Sequence, residues 1–268
     1  MSDRATAVVE QVEAESNLLL QESAPDEVKA LLGIETTRVG GGVVLSMRHD
    51  PTNYWSKALG FGEPLTADLV AEICDFYRAH GTPRAVLQLA PSVLPDDWAE
   101  ICAKQHIKRS STWVKLLHDG APVEQPKTSL RVGRVDPEDA TRWASTLLRA
   151  FGMPEEGFVP MFAAYAAQDG LTPYAAWDGD EMVAAATLFL HGEAAEFAGA
   201  STLPTHRGRG AQSALLASRV EDALAAGCRY LSAETGKPGP GEENSSLNNM
   251  LRVGFRHLHD RPNWAWTP

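Results

Sequence analysis

The segment from His118 to Ser129 constrains this chain more than any other. It carries Gly120, Pro122 and Pro126, shows no apolar periodicity, and follows the apolar run Thr112 to Leu117. Such a stretch continues neither helix nor strand, because proline lacks an N–H and the pattern offers no face to bury. It reads as a linker over 119–129 between two parts, 1–118 and 130–268, each the size of a small domain. A chain this long builds its core without staples. Cys74, Cys102 and Cys228 accordingly form neither a disulfide framework nor a CxxC pair, and no metal site is expected.

The second part reads element by element. Leu130 to Val135 alternates as a half-buried strand does. Asp136-Pro137 starts a helix, Trp143, Leu147, Leu148 and Phe151 recur at helical spacing, and Gly152 and Pro154 stop it. A short helix is expected over Glu155 to Ala167. The runs Pro173–Trp177 and Met182–Leu190 flank Asp178-Gly-Asp180, a hairpin signal, and Gly192 turns the chain into a third strand, Ala195–Leu203. A helix from Gly210 to Ala226 is predicted to end on Gly227. A strand at Arg229–Ala233, a helix at Leu247–Val253 and two strand pieces over Phe255–Trp266, broken at Arg261-Pro262, complete the series.

The first part looks like a worn copy, with chance similarity of α/β order as the alternative. Helices are predicted over Ala5–Gln21 and Asp26–Leu32, then a strand at Gly42–Met47, a loop over Asn53–Pro64 and a helix opening at Thr66. A strand at Arg84–Leu89, a helix at Pro95–Ala103 and a strand at Thr112–Leu117 close it.

Thr202-Leu-Pro-Thr-His-Arg-Gly-Arg-Gly-Ala-Gln212 lies between an expected strand and an expected helix. Gly208 and Gly210 let the backbone turn tightly and expose N–H groups at the helix start, where the helix dipole favours an anion. Arg207 and Arg209 add cationic donors suited to phosphate. A glycine pair alone also serves an ordinary turn.

The stretch resembles the acetyl-CoA signature of the GNAT acetyltransferase superfamily, R/Q-x-x-G-x-G/A. It reads here as Arg207-Gly-Arg-Gly210-Ala-Gln212, with Gln212 replacing the last small residue. Asn244-Ser-Ser-Leu-Asn-Asn249-Met-Leu-Arg-Val-Gly254-Phe255 is similar to the superfamily's second signature. The resemblance covers Leu130 to Thr267. It implies an α/β fold with a mixed, mostly antiparallel sheet flanked by helices, and two GNAT-like units in tandem, the N-terminal one degenerate.

The resemblance also implies a site. Acetyl-CoA would serve as co-substrate, its pyrophosphate on Arg207, Gly208, Arg209, Gly210, Ala211 and Gln212. Its pantetheine arm would pair with the main chain of Ser201, Thr202 and Leu203, and Asn249 would bond its amide arm. Transfer would be direct attack by an acceptor amine in a ternary complex, with a carboxylate as base. Glu196 is the first candidate and Glu234 the second; each reads equally as a solvated edge residue. Where relatives place a tyrosine to protonate the leaving thiolate, this chain has Met250, so either the thiol leaves unassisted or an acid comes from elsewhere, with Tyr174 conceivable. The implied activity is N-acetyl transfer to a small-molecule or protein amine. The alternative, which Met250 favours, is a silent acyl-CoA-binding or scaffolding protein.

In the first part the matching loop keeps Gly60 and Gly62 but has no arginine, and Glu63-Pro64 sets a carboxylate and a donor-less residue at the helix mouth. That part is therefore expected to hold no CoA and to wall the acceptor pocket, with Asn53, Tyr54, Trp55 and Lys57 as a loop reaching it. Trp264 and Trp266 read as core or acceptor pocket. Cys102 and His106, one helical turn apart, lack further metal ligands.

The chain has Lys+Arg 24 against Asp+Glu 35, a net charge of −11. That excess argues against nucleic acid as a partner and suits a cationic acceptor. No apolar run reaches the roughly 18 residues of a membrane span. Acids stand where a secretory signal would carry its apolar core, so the expected compartment is the cytoplasm.

Overall fold

The computed structural model describes residues 3–268. In the first part α1 (Asp3–Glu22) and α2 (Asp26–Leu32) precede β1 (Ile34–Val39), β2 (Gly42–Met47) and β3 (Lys57–Leu59). α3 (Ala67–Ala79), β4 (Ala85–Gln88), α4 (Trp98–Gln105) and β5 (Ile107–His118) follow. The linker and β6 (Arg131–Arg134) lead to the second part. There α5 (Ala140–Phe151), α6 (Phe158–Ala166), β7 (Leu171–Asp178), β8 (Glu181–His191), β9 (Ala194–Thr202), α7 (Ala211–Ala225), β10 (Tyr230–Gly236), α8 (Ser245–Arg252) and β11 (Phe255–Trp266) repeat the first series element for element.

All the strands form one sheet, ordered β1-β2-β3-β4-β11-β5-β10-β9-β8-β7-β6. The β3–β4 and β9–β10 pairs are parallel, and the other ladders are antiparallel. The two units exchange their last strands. β5 pairs with β10 of the second unit, β11 pairs with β4 of the first, and β5 and β11 run side by side at the centre. The cores follow the exchange: Trp266 is buried with Tyr77 and Leu87, whereas Val114 and Leu116 are buried with Leu215 and Phe255. Trp264 packs against the first of these cores.

Three local outcomes differ from the sequence reading. Ile34–Val39 is a strand although mostly polar, because it forms the sheet's outer edge and needs only one partner, β2. The expected loop at 53–64 contains the short strand β3. β11 is continuous through Arg261-Pro262: pairing with β4 begins only at Asn263, and the ladder to β5 is irregular between Pro262 and Trp264, so the missing proline N–H costs no regular bond.

α1 crosses the middle of the sheet and touches strands of both units. One face buries Val12 and Leu20 with Met47, Trp143, Leu147 and Phe162, a core shared by the two units. Its polar residues Glu10, Glu13, Ser16 and Gln21 are buried as well.

Candidate active site

Parallel pairing of β9 with β10 runs from Ala194↔Tyr230 to Glu196↔Ser232 and ends there. Beyond it β9 pairs only with β8, and Ala233 to Gly236 pair only with β5, so the two strands splay. An irregularity between Ala185 and Thr187 in the β8–β9 ladder bends β9 further. Arg219 of α7 fixes that bend. Fully buried, it donates through Nη1 to Thr187 O (2.8 Å) and Ala198 O (3.5 Å) and through Nε to Leu215 O (3.0 Å). Burial, with no carboxylate bonded to it, pulls its guanidinium down to about 10.

A cavity of about 1110 Å³ passes through this opening. One end lies at the start of α7. Gly210, at φ +82, is the N-cap; no side chain caps the helix, and the first bond back to the cap is Ala214 N–H to Gly210 O (3.1 Å). The N–H groups of residues 208–213 donate to no acceptor among the described residues. The positive φ favours glycine at 210, and a Cβ there would come 3.2 Å from Lys127 O, so a side chain would press on the linker. α3, the matching helix of the first unit, is capped instead by Thr66 Oγ1, which accepts from Leu69 N–H (3.2 Å).

Of the residues named from the sequence, Ser201, Thr202, Arg207, Gly208, Gly210, Ala211, Gln212, Asn249, Glu196 and Glu234 all border this cavity. Gln212 Oε1 accepts from Asn249 Nδ2 (2.9 Å), which joins the two signatures across the helix start. Two residues do not reach it. Arg209 turns away and binds both oxygens of Asp178 (2.5 and 3.1 Å), so its charge is spent fastening the loop rather than facing phosphate. Leu203 is buried, and its N–H already donates to Val183 O (2.9 Å). Tyr174 is also away from the cavity; its hydroxyl donates to Asp222, and burial raises its pKa above the ordinary tyrosine range. Met250 does border the cavity, as does Tyr165, whose hydroxyl pairs with Ser16 Oγ (2.7 Å).

The other end of the cavity is a chamber walled by the first unit through Glu13, Asn17, Tyr54, Trp55, Lys57 and Trp113. The predicted loop thus reaches the pocket. Behind the chamber lies a charge cluster that the sequence reading missed. Lys115 Nζ contacts Glu13 (2.6 Å) and Glu234 (3.6 Å); Arg261 binds Glu10 (2.7 Å), Glu13 (2.5 and 2.9 Å) and Glu234. Burial, the largest influence, would raise Glu10 and Glu13, but Arg261 and Lys115 together, with His259 bonded to Glu10, outweigh it and hold both down, Glu13 far down. The remaining carboxyls are less well compensated. Burial pushes Glu196 up to about 7 and Glu234 up to about 8, against the attraction of the same two cations. Glu196 takes one hydrogen bond, from Ser232 Oγ (2.5 Å), and no direct ion pair. The available signal was Lys115, a lysine inside the apolar run Trp113-Val-Lys-Leu-Leu117.

The first unit has no such opening. Its strands β3 and β4 part after Ala58↔Leu87, but Phe61, Leu65, Leu89 and Val93 are buried there, and Leu65 N–H donates to Val93 O (2.9 Å). Helix α1 presses on the same turn, since a Cβ on Gly60 would lie 2.4 Å from Ala14 Cβ.

Residues 140–243 match the Acetyltransferase (GNAT) family. The whole chain is similar in fold to a GCN5-related N-acetyltransferase from Kribbella flavida, with TM-score 0.61, 16% identity, and 92% of this chain and 95% of that one covered. It is likewise similar to a GCN5-related N-acetyltransferase from Sphaerobacter thermophilus (TM-score 0.60, 13% identity, 85% and 81% covered). A tandem GNAT protein from the clavulanic acid biosynthesis pathway aligns with TM-score 0.56 and 16% identity over 96% of this chain and 94% of that one. A search of curated proteins finds no match. The family match lies within the second unit, and the fold of the chain as a whole is similar to that of a tandem GNAT protein.

Proposed function

We propose that the chain is an N-acetyltransferase that passes an acetyl group from acetyl-CoA to an amine by direct attack in a ternary complex. One observation carries this reading: a single cavity joins a helix start with unpaired N–H donors to a chamber holding Glu196 and Glu234. The donors of residues 208–213 and Arg207 suit a pyrophosphate, and the unpaired edge of Ser201 and Thr202 suits the amide-bearing pantetheine arm. Glu196 is the base. With a pKa near 7 it is partly ionised at neutral pH and able to take a proton, whereas Glu234 is held through Oε2 by Arg261, with Lys115 close by. The amine N–C bond forms as the thioester C–S bond breaks, and the amine proton passes to Glu196.

The first unit serves as a wall of the acceptor chamber, a role that its filled β3–β4 opening and capped α3 support. Three free, buried cysteines suit the reducing cytoplasm. Met250, on the cavity wall where a thiolate acid is expected, favours a second reading of acyl-CoA binding without turnover. Release of CoA across an amine panel separates the two. Turnover that falls about 10²–10⁴-fold in Glu196→Gln supports the first; acetyl-CoA binding with no turnover on any amine supports the second.

A further inference from the structure

Lys57 ends inside the protein with nothing to bind. It is 2% exposed, borders the chamber, and makes no hydrogen bond or ion pair among the described residues. Its ammonium stands 3.8 Å from the ring centroid of Tyr54 and 5.8 Å from that of Trp55. Cation–π contact recovers only part of the cost of stripping an ammonium of water. Glu13, whose pKa Lys57 helps to lower, has both oxygens engaged by Lys115 and Arg261. Trp55 borders the same chamber with its ring, while its indole N–H is buried behind the wall. The surface around the ammonium is aromatic: Trp113 lies 6.2 Å from Tyr54, and Phe162 lies 5.6 Å from Trp55, centroid to centroid.

Building on the N-acetyltransferase reading, we propose that this wall takes the carboxylate of the acceptor, so that the acceptor is a small amino carboxylate with an apolar side chain. One ammonium without a carboxylate partner matches a monoanion. A phosphate dianion would meet the carboxylates of Glu13, Glu196 and Glu234 around the same cavity. The aromatic surface receives the apolar side chain, and the amine reaches toward Glu196.

Matched pairs test this: phenylalanine with phenethylamine, leucine with isopentylamine, and so on through the apolar protein amino acids. Each is titrated against the full chain by tryptophan fluorescence, and CoA release from acetyl-CoA is assayed separately. The amino acid is expected to bind about tenfold or more tightly than its amine, as a charge-assisted contact provides. Lys57→Met should erase that preference, Lys57→Arg should retain it, and acetyl-CoA affinity by calorimetry should stay unchanged in both. Equal binding of acid and amine, a preference that survives Lys57→Met, or no binding of any amino acid overturns the proposal. Should Lys57→Met not fold, amino acid methyl esters replace it, and ester binding as tight as the free acid is equally fatal. Failure of the underlying function has a different signature: no acetyl-CoA binding, or amino acids bound with the full preference while no amine ever releases CoA.

Discussion

Carboxyls that share two cations do not share them equally, and single residues of the cluster should reveal it. Arg261 spends its donors on Glu10, Glu13 and Glu234, leaving Glu196 with a hydroxyl. Activity should therefore rise with pH through a limb near 7, where Glu196 ionises, and a kcat/KM profile of Glu196→Gln should lack that limb. Stability should run the other way. Between the ordinary carboxylate value and about 8, the folded chain holds protons on Glu196 and Glu234 that the unfolded chain has released, so their contribution falls as pH rises through that window. Thermal melts at pH 5 and pH 8 should differ less for the Glu196→Gln, Glu234→Gln double variant than for the native chain. Arg261→Met leaves three buried carboxyls without their main partner and should cost about 3–5 kcal/mol in a denaturant titration. In the sequence only Lys115, a lysine inside an apolar run, hinted at this cluster. Glu10 and Glu13 lie on a helix, and their partner Arg261 lies 251 and 248 positions away. Local pattern contains no term for such a pairing.

Elements built by local rules were the legible ones. The loop into α7 needs two glycines, an arginine and a helix start within a few residues, and all of that is written contiguously at 207–212. Which arginine faces the cavity was not legible, because the choice depends on Asp178 at the end of β7. Gly210→Ala tests the loop as a unit. The left-handed backbone costs about 1–2 kcal/mol with a side chain, and the new Cβ meets Lys127 O at 3.2 Å. Acetyl-CoA affinity by calorimetry should fall at least tenfold, roughly the equivalent of that strain, while the far-UV spectrum is unchanged. β3 escaped notice for the opposite reason: three residues flanked by tyrosine, tryptophan and glycine carry no period, and only pairing with β2 and β4 makes them a strand.

The repeat of two units is visible in the order of elements, but the exchange of their last strands is not, since a strand's pattern names its buried face and never its neighbour. The exchange makes the linker a misleading seam. Residues 1–118 expressed alone lack β11, one of the two strands that flank β4, and residues 130–268 alone lack β5, one of the two that flank β10. Neither should fold separately, whereas mixing the two should restore a cooperative melt. Removal of residues 255–268 should likewise abolish both units rather than trim one, as judged by circular dichroism and size exclusion. The same geometry sets a timetable for synthesis. β11 follows every other strand of this sheet in the chain, yet its place is at the centre. Until β11 is made, β4 and β5 present open ladder edges to every other nascent chain nearby, so the danger of aggregation is concentrated in the interval before this strand emerges.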